Sequence, residues 1–360
     1  MNILPPSALD LADPQPGIYR NVPFELYGDI QAVNQSRLKA VAKSPAHAQA
    51  ESAGTEALAF GSLIHTMVLE PREVLKRYTI WNTGKTGNSK NGNKWIAYKF
   101  GLENGLEAFE HGVCSWEGST ANKAAKEAKK LLTAPQILLP PADFEEIRNR
   151  IPKDIGKEVI TMTTWGAAEL LVDKLKPDFD GNGLAQYLGA MGEVELTLVW
   201  EETIEIDGEN VTILCKARID KVISGGSERS TIFDLKSCED CTPEAFARAC
   251  GRYRYEIQAP WYCRGWEALT GESLGHADFI FGALEKSTGI SAGHWLSEEA
   301  FHHGRTCILD LLNTWARCQR ANHWPGPAAE ELNYLPSDWE TPLDTSEAEH
   351  EGELLQDLIP

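Results

Sequence analysis

Apolar residues recur at helical spacing in "EALAFGSLIHTMVLEP", which predicts a helix that stops at Pro71. "NQSRLKAVAKSPAHAQA" predicts a short helix ending at Ser44-Pro45, because the residue before a proline avoids the helical region. Residues 99–132 and 143–175 also read as helices, with "TAPQILLPP" as the break between them. Near Gly192 the period changes. "EVELTLVWEE" alternates, and "ETIEIDGENVTILCKARIDKVI" gives two alternating runs split by Asp207-Gly208, a strong hairpin signal. "STIFDLKS" predicts a further strand. "TPEAFARACGRYRYEIQAPWYCRGWEALTG" returns to helical periodicity, with Thr242 as N-cap and Pro243 as first helical residue. "HADFIFGALEK" reads as one more strand and "SEEAFHHGRTCILDLLNTWARCQ" as a closing helix.

Helices, then a hairpin-built sheet, then helix, strand and helix predict an α/β (α+β) fold with a mixed central sheet flanked by helices. Residues 1–32 form a Pro-rich extended arm. Residues 33–190 form a mainly helical N-terminal region, with a mobile Gly-, Asn- and Lys-rich loop at 82–94. The sheet-bearing core spans 191–322, and 323–360 is an acidic, loosely packed tail. No apolar run is long enough for a membrane span. The N-terminus has neither a basic nor an apolar segment of secretory type, so a cytoplasmic location is expected. The eight cysteines are then expected to be reduced, most of them as small buried hydrophobes.

A net charge of −19 argues against a nucleic-acid partner. The charge is uneven, however. Residues 321–360 hold ten acids and no Lys or Arg, whereas acids and bases nearly balance between 210 and 270. Arg248, Arg252, Arg254 and Arg264 cluster in that stretch, and the local field decides what a cleft attracts.

The stretch "CKARIDKVISGGSERSTIFDLKS" carries the candidate chemistry. Asp234 and Lys236 are two apart in a strand and project to one face. Asp220 ends the preceding strand and can lie beside Asp234. Two adjacent carboxylates repel unless something positive sits between them. A hard divalent cation does this well, and a lysine beside it can position a water. A structural Asp234–Lys236 ion pair and a strand-end cap at Asp220 are the bland alternatives.

"ARID" followed by "DLK" resembles the active-site signature of the PD-(D/E)-x-K nucleases. The wider context is similar to the RecB-type branch, closest to the RecE (exonuclease VIII) group of phage and prophage recombination exonucleases. "FGSLIH" is similar to that group's G-x-x-x-H motif and points to His65. "EVELTLVW" is similar to its Glu-x-Ser/Thr-x-x-Trp segment and points to Glu195. "QAPWY" is similar to Q-x-x-x-Y and points to Gln258 and Tyr262. "SRLKAVAKSPAH" resembles the group's N-terminal segment. Ile219 stands where the group usually has Pro, and Ser237 where it usually has Thr.

The resemblance implies a restriction-endonuclease-like fold and Mg²⁺ or Mn²⁺ held by Asp220, Asp234 and the Leu235 carbonyl, with His65 and Glu195 completing or flanking the site. Catalysis would rest on Asp220, Asp234, Lys236 and Glu195. It also implies a 5′→3′ exonuclease on double-stranded DNA ends, a ring-like homo-oligomer and a single-strand annealing partner, in a bacterial or phage-infected cell. DNA contacts are expected at Gln258, Tyr262, Arg248, Arg252, Arg254 and Arg264. The alternatives are a catalytically silent DNA- or partner-binding relative, a nuclease acting on RNA or internal sites, and an iron–sulfur nuclease of end processing or CRISPR adaptation. Cys238 and Cys241 form a Cys-x-x-Cys, but Cys307 and Cys318 lack the cluster spacing of that last class. "GKTGNSKNG" lacks the phosphate-loop pattern, which argues against ATP binding.

Overall fold

The Asp207-Gly208 pair turns one long strand back onto another. Both residues have positive φ, 54° and 82°, as the tightest hairpin turns require, and glycine takes the second position without a steric penalty. This hairpin is the spine of the protein. The structure is a computed structural model that describes residues 2–50, 56–81, 92–115, 137–175, 183–225 and 229–327.

Among the described residues the chain begins with β1 (Ile3–Leu4), β2 (Gly17–Tyr19), α1 (Phe24–Asp29), α2 (Gln35–Val41), α3 (Glu56–Leu69) and α4 (Val74–Arg77). There follow β3 (Tyr78–Trp81), α5 (Gly92–Gly112), β4 (Val113–Ser115), β5 (Ile137–Leu139), α6 (Pro141–Asp154), β6 (Glu158–Thr161), α7 (Met162–Lys174) and α8 (Ala185–Gly189). The core then runs β7 (Gly192–Ile206), β8 (Glu209–Ile223), β9 (Thr231–Cys238), α9 (Pro243–Tyr253), α10 (Tyr255–Thr270), β10 (Phe279–Glu285), β11 (Ser291–His294) and α11 (Glu298–Ala321).

Seven strands make one mixed sheet in the order β1-β2-β7-β8-β9-β10-β11. The β7–β8–β9 meander is antiparallel, β10 joins β9 in parallel, and β11 is antiparallel to β10. The sequence gives the parallel step its reason: α9 and α10 lie between β9 and β10, the crossover a parallel pair needs.

The sheet buries both faces. Phe233 and Leu235 of β9 pack with Leu63 and Ile64 of α3 and Leu171 of α7. Ile232 points the other way, into a cluster with Trp261 and Trp266 of α10, Leu312 and Trp315 of α11, and Leu38 of α2. Burying a side chain such as Phe233 contributes about 1.5–3 kcal/mol. Asp234 and Lys236 share the face of Ile232, so they look toward α10. A smaller cluster around Trp81, Tyr98, Phe109 and Ile151 ties β3, α5 and α6 together.

Several expectations need correction. Part of the N-terminal arm is in the sheet: β2 pairs antiparallel with β7, with Ile18 opposite Leu198. The helix expected over 143–175 is two helices with a strand between them. Pro152 sits in the last turn of α6, Gly156 takes φ +81°, and "EVIT" then pairs with β3. The helix expected after β9 breaks at Arg254, which takes φ 54° between α9 and α10. Of the loop expected at 82–94, only its end is described. There Lys94 lies in α5, pairing with Asp143 at 3.0 Å and Glu146 at 2.6 Å. The acidic tail beyond Pro327 lies outside the described residues.

Candidate active site

The ladder between β8 and β9 stops at Lys221–Phe233. The next pair would be Asp220 and Asp234. There the strands part, and the Asp220 Oδ2 carboxylate oxygen accepts the Leu235 N–H at 2.7 Å instead. On the other side of β8, Glu195 faces Asp220 across the β7 register but drops out of the ladder. Its φ is 51°, in the left-handed region that a non-glycine residue rarely occupies within a strand. Such strain costs about 1–3 kcal/mol and recurs at functional sites. It brings the Glu195 carboxylate to Asp220.

His65 arrives from α3. Gly61 sits one turn earlier, where the helix presses on β9: a Cβ built there would lie 3.2 Å from Ser237 Oγ. This close approach lets the His65 ring reach between the strands. Nδ1 lies 3.4 Å from Asp220 Oδ2, and Nε2 lies 2.5 Å from the Leu235 carbonyl oxygen. One ligand atom each from His65, Glu195 and Asp220 falls within 4.8 Å of the others, so the structure brings these three together.

Asp234 stands just behind them, 1% exposed. Its Oδ1 accepts from Gln258 Nε2 at 2.7 Å, and its Oδ2 pairs with Lys236 Nζ. Gln258 is 3% exposed, and Tyr262 lies one helical turn along α10. Gln258, expected among the DNA contacts, is bonded to Asp234, and Tyr262, expected there too, is buried. Lys236 also lies 5.2 Å from the centre of the Tyr255 ring.

The electrostatics follow from burial. Burial pushes the Asp220 carboxyl well above its usual range, and the charge of Asp234 pushes further the same way. Burial, then Asp220, raises Glu195 to about 7 against the pull of Arg218. For Lys236, burial works against the charge, but Asp234 outweighs it and the lysine is held above its ordinary pKa. Burial, and then Lys236, lowers His65, so the imidazole is neutral near pH 7 and free to act as a ligand. The pocket thus holds carboxylates that lack enough positive charge. Its donors are carboxylate oxygens, a backbone carbonyl and a neutral imidazole. That set fits a hard divalent cation.

Three contributors escaped the sequence reading. Arg218, two residues before Asp220 on the same face, holds Glu195 through Nε and the Val22 carbonyl through Nη1 at 2.9 Å. Its Nη2 reaches Glu70 at 3.4 Å, and Glu70 is gripped by Arg77. Lys39 of α2 lies 5.5 Å from the centre of the Tyr255 ring, which it shares with Lys236. Burial, and then Lys236, pushes Lys39 down to about 7. Only the i, i+2 spacing of Arg218 and Asp220 in "KARID" hinted at this layer.

The four arginines differ in their surroundings. Arg248 and Arg252 are exposed on α9, one helical turn apart. Arg254 pairs with Glu256 at 2.9 Å. Arg264 makes a two-pronged bond to Glu202, Nε and Nη2 at 2.5 and 2.7 Å, so its guanidinium is already spent within the fold. Cys238 and Cys241 do not gather a third ligating His, Cys, Asp or Glu among the described residues.

A mixed sheet whose central strands part around Asp220 and Asp-x-Lys defines a restriction-endonuclease-like domain. Residues 187–338 match the family model described as a PDDEXK-like domain of unknown function (DUF3799), and Glu195, Asp220, Asp234 and Lys236 lie within the matched segment. Among solved structures the chain is similar to a protein from Eubacterium rectale described as a "Putative exonuclease". The two share 15% identity at a TM-score of 0.34, over 74% of this chain and all of that one. It is also similar to the protein SSO0001, at 14% identity and a TM-score of 0.21, over 62% and 88% of the two chains. No curated protein matches the chain.

Proposed function

We propose that the protein is a divalent-metal-dependent deoxyribonuclease that degrades linear duplex DNA from its ends. The observation that carries this reading is the parting of β8 and β9 around Asp220 and Asp234, with His65, Glu195 and Lys236 converging on the gap. A hard cation such as Mg²⁺ would be held there by Asp220, Glu195, His65, the Leu235 carbonyl and the remaining lone pairs of Asp234. Its positive charge stabilises the negative charge that develops on a phosphate under attack.

The chain's own residues supply the rest. Lys236 Nζ, fixed by Asp234 and the Tyr255 face, orients the attacking water and remains charged beside the phosphate. Arg218 holds the Glu195 carboxylate in its strained position. Gln258 fixes the rotation of Asp234. Arg248 and Arg252 offer exposed guanidinium groups for the DNA backbone. Action from the 5′ end, a ring of subunits, an annealing partner and a role in phage-type recombination are carried by the resemblance to the RecE group alone.

The test is incubation of purified protein with linear and covalently closed duplex DNA, in Mg²⁺, Mn²⁺ and EDTA. Linear DNA should shorten from its ends only with metal, and Lys236→Met or Asp234→Asn should slow this by at least about a hundredfold. Cleavage that persists in EDTA, or in both variants, would overturn the reading.

A further inference from the structure

A cavity of about 510 Å³ opens between α9, β10 and the start of α11, and the proposed hydrolysis makes no use of it. Its volume lies within the range of about 300–1,000 Å³ typical of sites for small ligands. It is bound to the active site through one ring. Phe281, in the cavity wall, lies opposite Asp234 in the β9–β10 register. Tyr255 stacks on Phe281 at 5.3 Å and carries Lys236 Nζ 5.2 Å from its centre.

The lining is flat and aromatic. His294 stacks on Phe246 at 4.8 Å and is fixed by a 2.8 Å contact from its Nε2 to the Cys241 carbonyl. Trp295 is 57% exposed in the cavity lining, with no ring or hydrogen-bond partner among the described residues. The same turns of α9 that give Ala247 and Gly251 to the wall also carry the exposed Arg248 and Arg252. Inside stands one carboxylate, Glu256. Its Oε1 accepts from Arg254 Nε at 2.9 Å. An apolar peptide side chain would leave that carboxylate facing hydrocarbon, at a cost. A planar heterocycle with an amino group satisfies it, while the guanidinium groups outside meet the attached phosphates.

We propose that this cavity binds an unpaired nucleobase of the strand under cleavage, next to the phosphate held at Lys236. The proposal rests on the hydrolysis reading above. Glu256 accepts from the exocyclic amine of adenine, cytosine or guanine, whereas an unpaired thymine offers it only the single N3–H. The strand would therefore be read as an unstacked single strand at the active site, with mild discrimination against thymine.

The test uses Lys236→Met protein in Mg²⁺, so that strands stay intact, and fluorescent single-stranded oligonucleotides followed by anisotropy. The probes are oligo-dC, oligo-dT and an abasic strand with the same number of phosphates. Oligo-dC should bind about tenfold more tightly than the abasic strand, as base stacking on aromatic side chains allows, with oligo-dT between them. Trp295→Ala should bring oligo-dC down toward the abasic strand and leave abasic binding unchanged. Ala300→Leu, which fills the cavity from α11, should do the same. Equal affinity for oligo-dC and the abasic strand, or an equal loss for both in Trp295→Ala, would overturn the proposal. Cleavage of linear duplex by the wild-type protein separates the two readings. If cleavage is seen and the affinities are equal, only the base site falls; if neither cleavage nor binding is seen, the hydrolysis reading falls first.

Discussion

Replacing Gln258 by Leu separates metal binding from chemistry. Leu is apolar and close in volume, so it removes one hydrogen bond without opening a large void. Asp234 is 1% exposed, so bulk solvent has little access to replace the lost Nε2–H···Oδ1 bond of 2.7 Å. A hydrogen bond to a charged group contributes about 1.5–3 kcal/mol, which is about a tenfold to a hundred-and-fiftyfold effect. The loss frees the carboxylate's rotation. That weakens its hold on a cation, and losing such a supporting bond typically costs about 10–100-fold in metal affinity. Lys236 keeps its ion pair and its aromatic face, so the chemistry itself is spared. The assay is the cleavage rate of linear duplex against Mg²⁺ concentration. The half-saturating Mg²⁺ should rise about 10–100-fold while the plateau stays within a few-fold of wild type. An unchanged midpoint with a collapsed plateau would refute the claim that Gln258 acts through Asp234 on the metal.

Two further substitutions divide the arginine cluster. Arg248→Ala with Arg252→Ala removes two exposed guanidinium groups. The log–log slope of duplex affinity against salt should then become shallower by about 1.8, at about 0.9 per phosphate contact; an unchanged slope would take α9 out of the DNA surface. Arg264→Ala should leave that slope alone and instead lower folding stability by about 1.5–3 kcal/mol, because Glu202 loses a two-pronged charged partner while staying buried. Urea denaturation reads the second effect, and a normal midpoint would contradict it.

The reach of the sequence follows from where chemistry conflicts with local propensity. Asp234 and Lys236 stand out because a strand there wants apolar residues, and Asp207-Gly208 stands out because few other pairs accept two positive φ values. Both were therefore legible. Gln258 was legible as a helix-face residue, but its partner was not. Either a phosphate or a carboxylate would satisfy an amide, and only the packing of α10 on β9 selects Asp234. The strain at Glu195 leaves no mark on composition, since "EVELTLVW" alternates as an unstrained strand would. Strand β11, "SAGH", was missed because it has no alternation of its own and pairs through its backbone with β10. The run 143–175 misled because helix-forming residues flank "EVIT", and neither Pro152 nor Gly156 outweighed them in a periodicity count.

The charge at the site also decides when this acidic chain can approach DNA. Among the described residues, Lys236 and Arg218 pair with this group of Asp220, Asp234 and Glu195, and Glu70 is matched by Arg77. Lys39, held near 7, is mostly uncharged at pH 8. The bare pocket is therefore negative by one unit, or close to neutral where the raised carboxyls take up protons. A divalent cation makes it positive by one. At about 6 Å and an effective dielectric constant of about 20, one unit of charge changes the energy of a phosphate by about 3 kcal/mol, about a hundredfold in affinity. Binding itself should thus require the metal. With Lys236→Met protein at pH 8 and fixed ionic strength, duplex affinity should be at least about tenfold higher in Ca²⁺ than in EDTA, after allowance for the lost lysine charge. Equal affinity in the two buffers would mean that the arginines of α9 hold the DNA at a distance from the carboxylates, and that the gap between β8 and β9 is not where the phosphate sits.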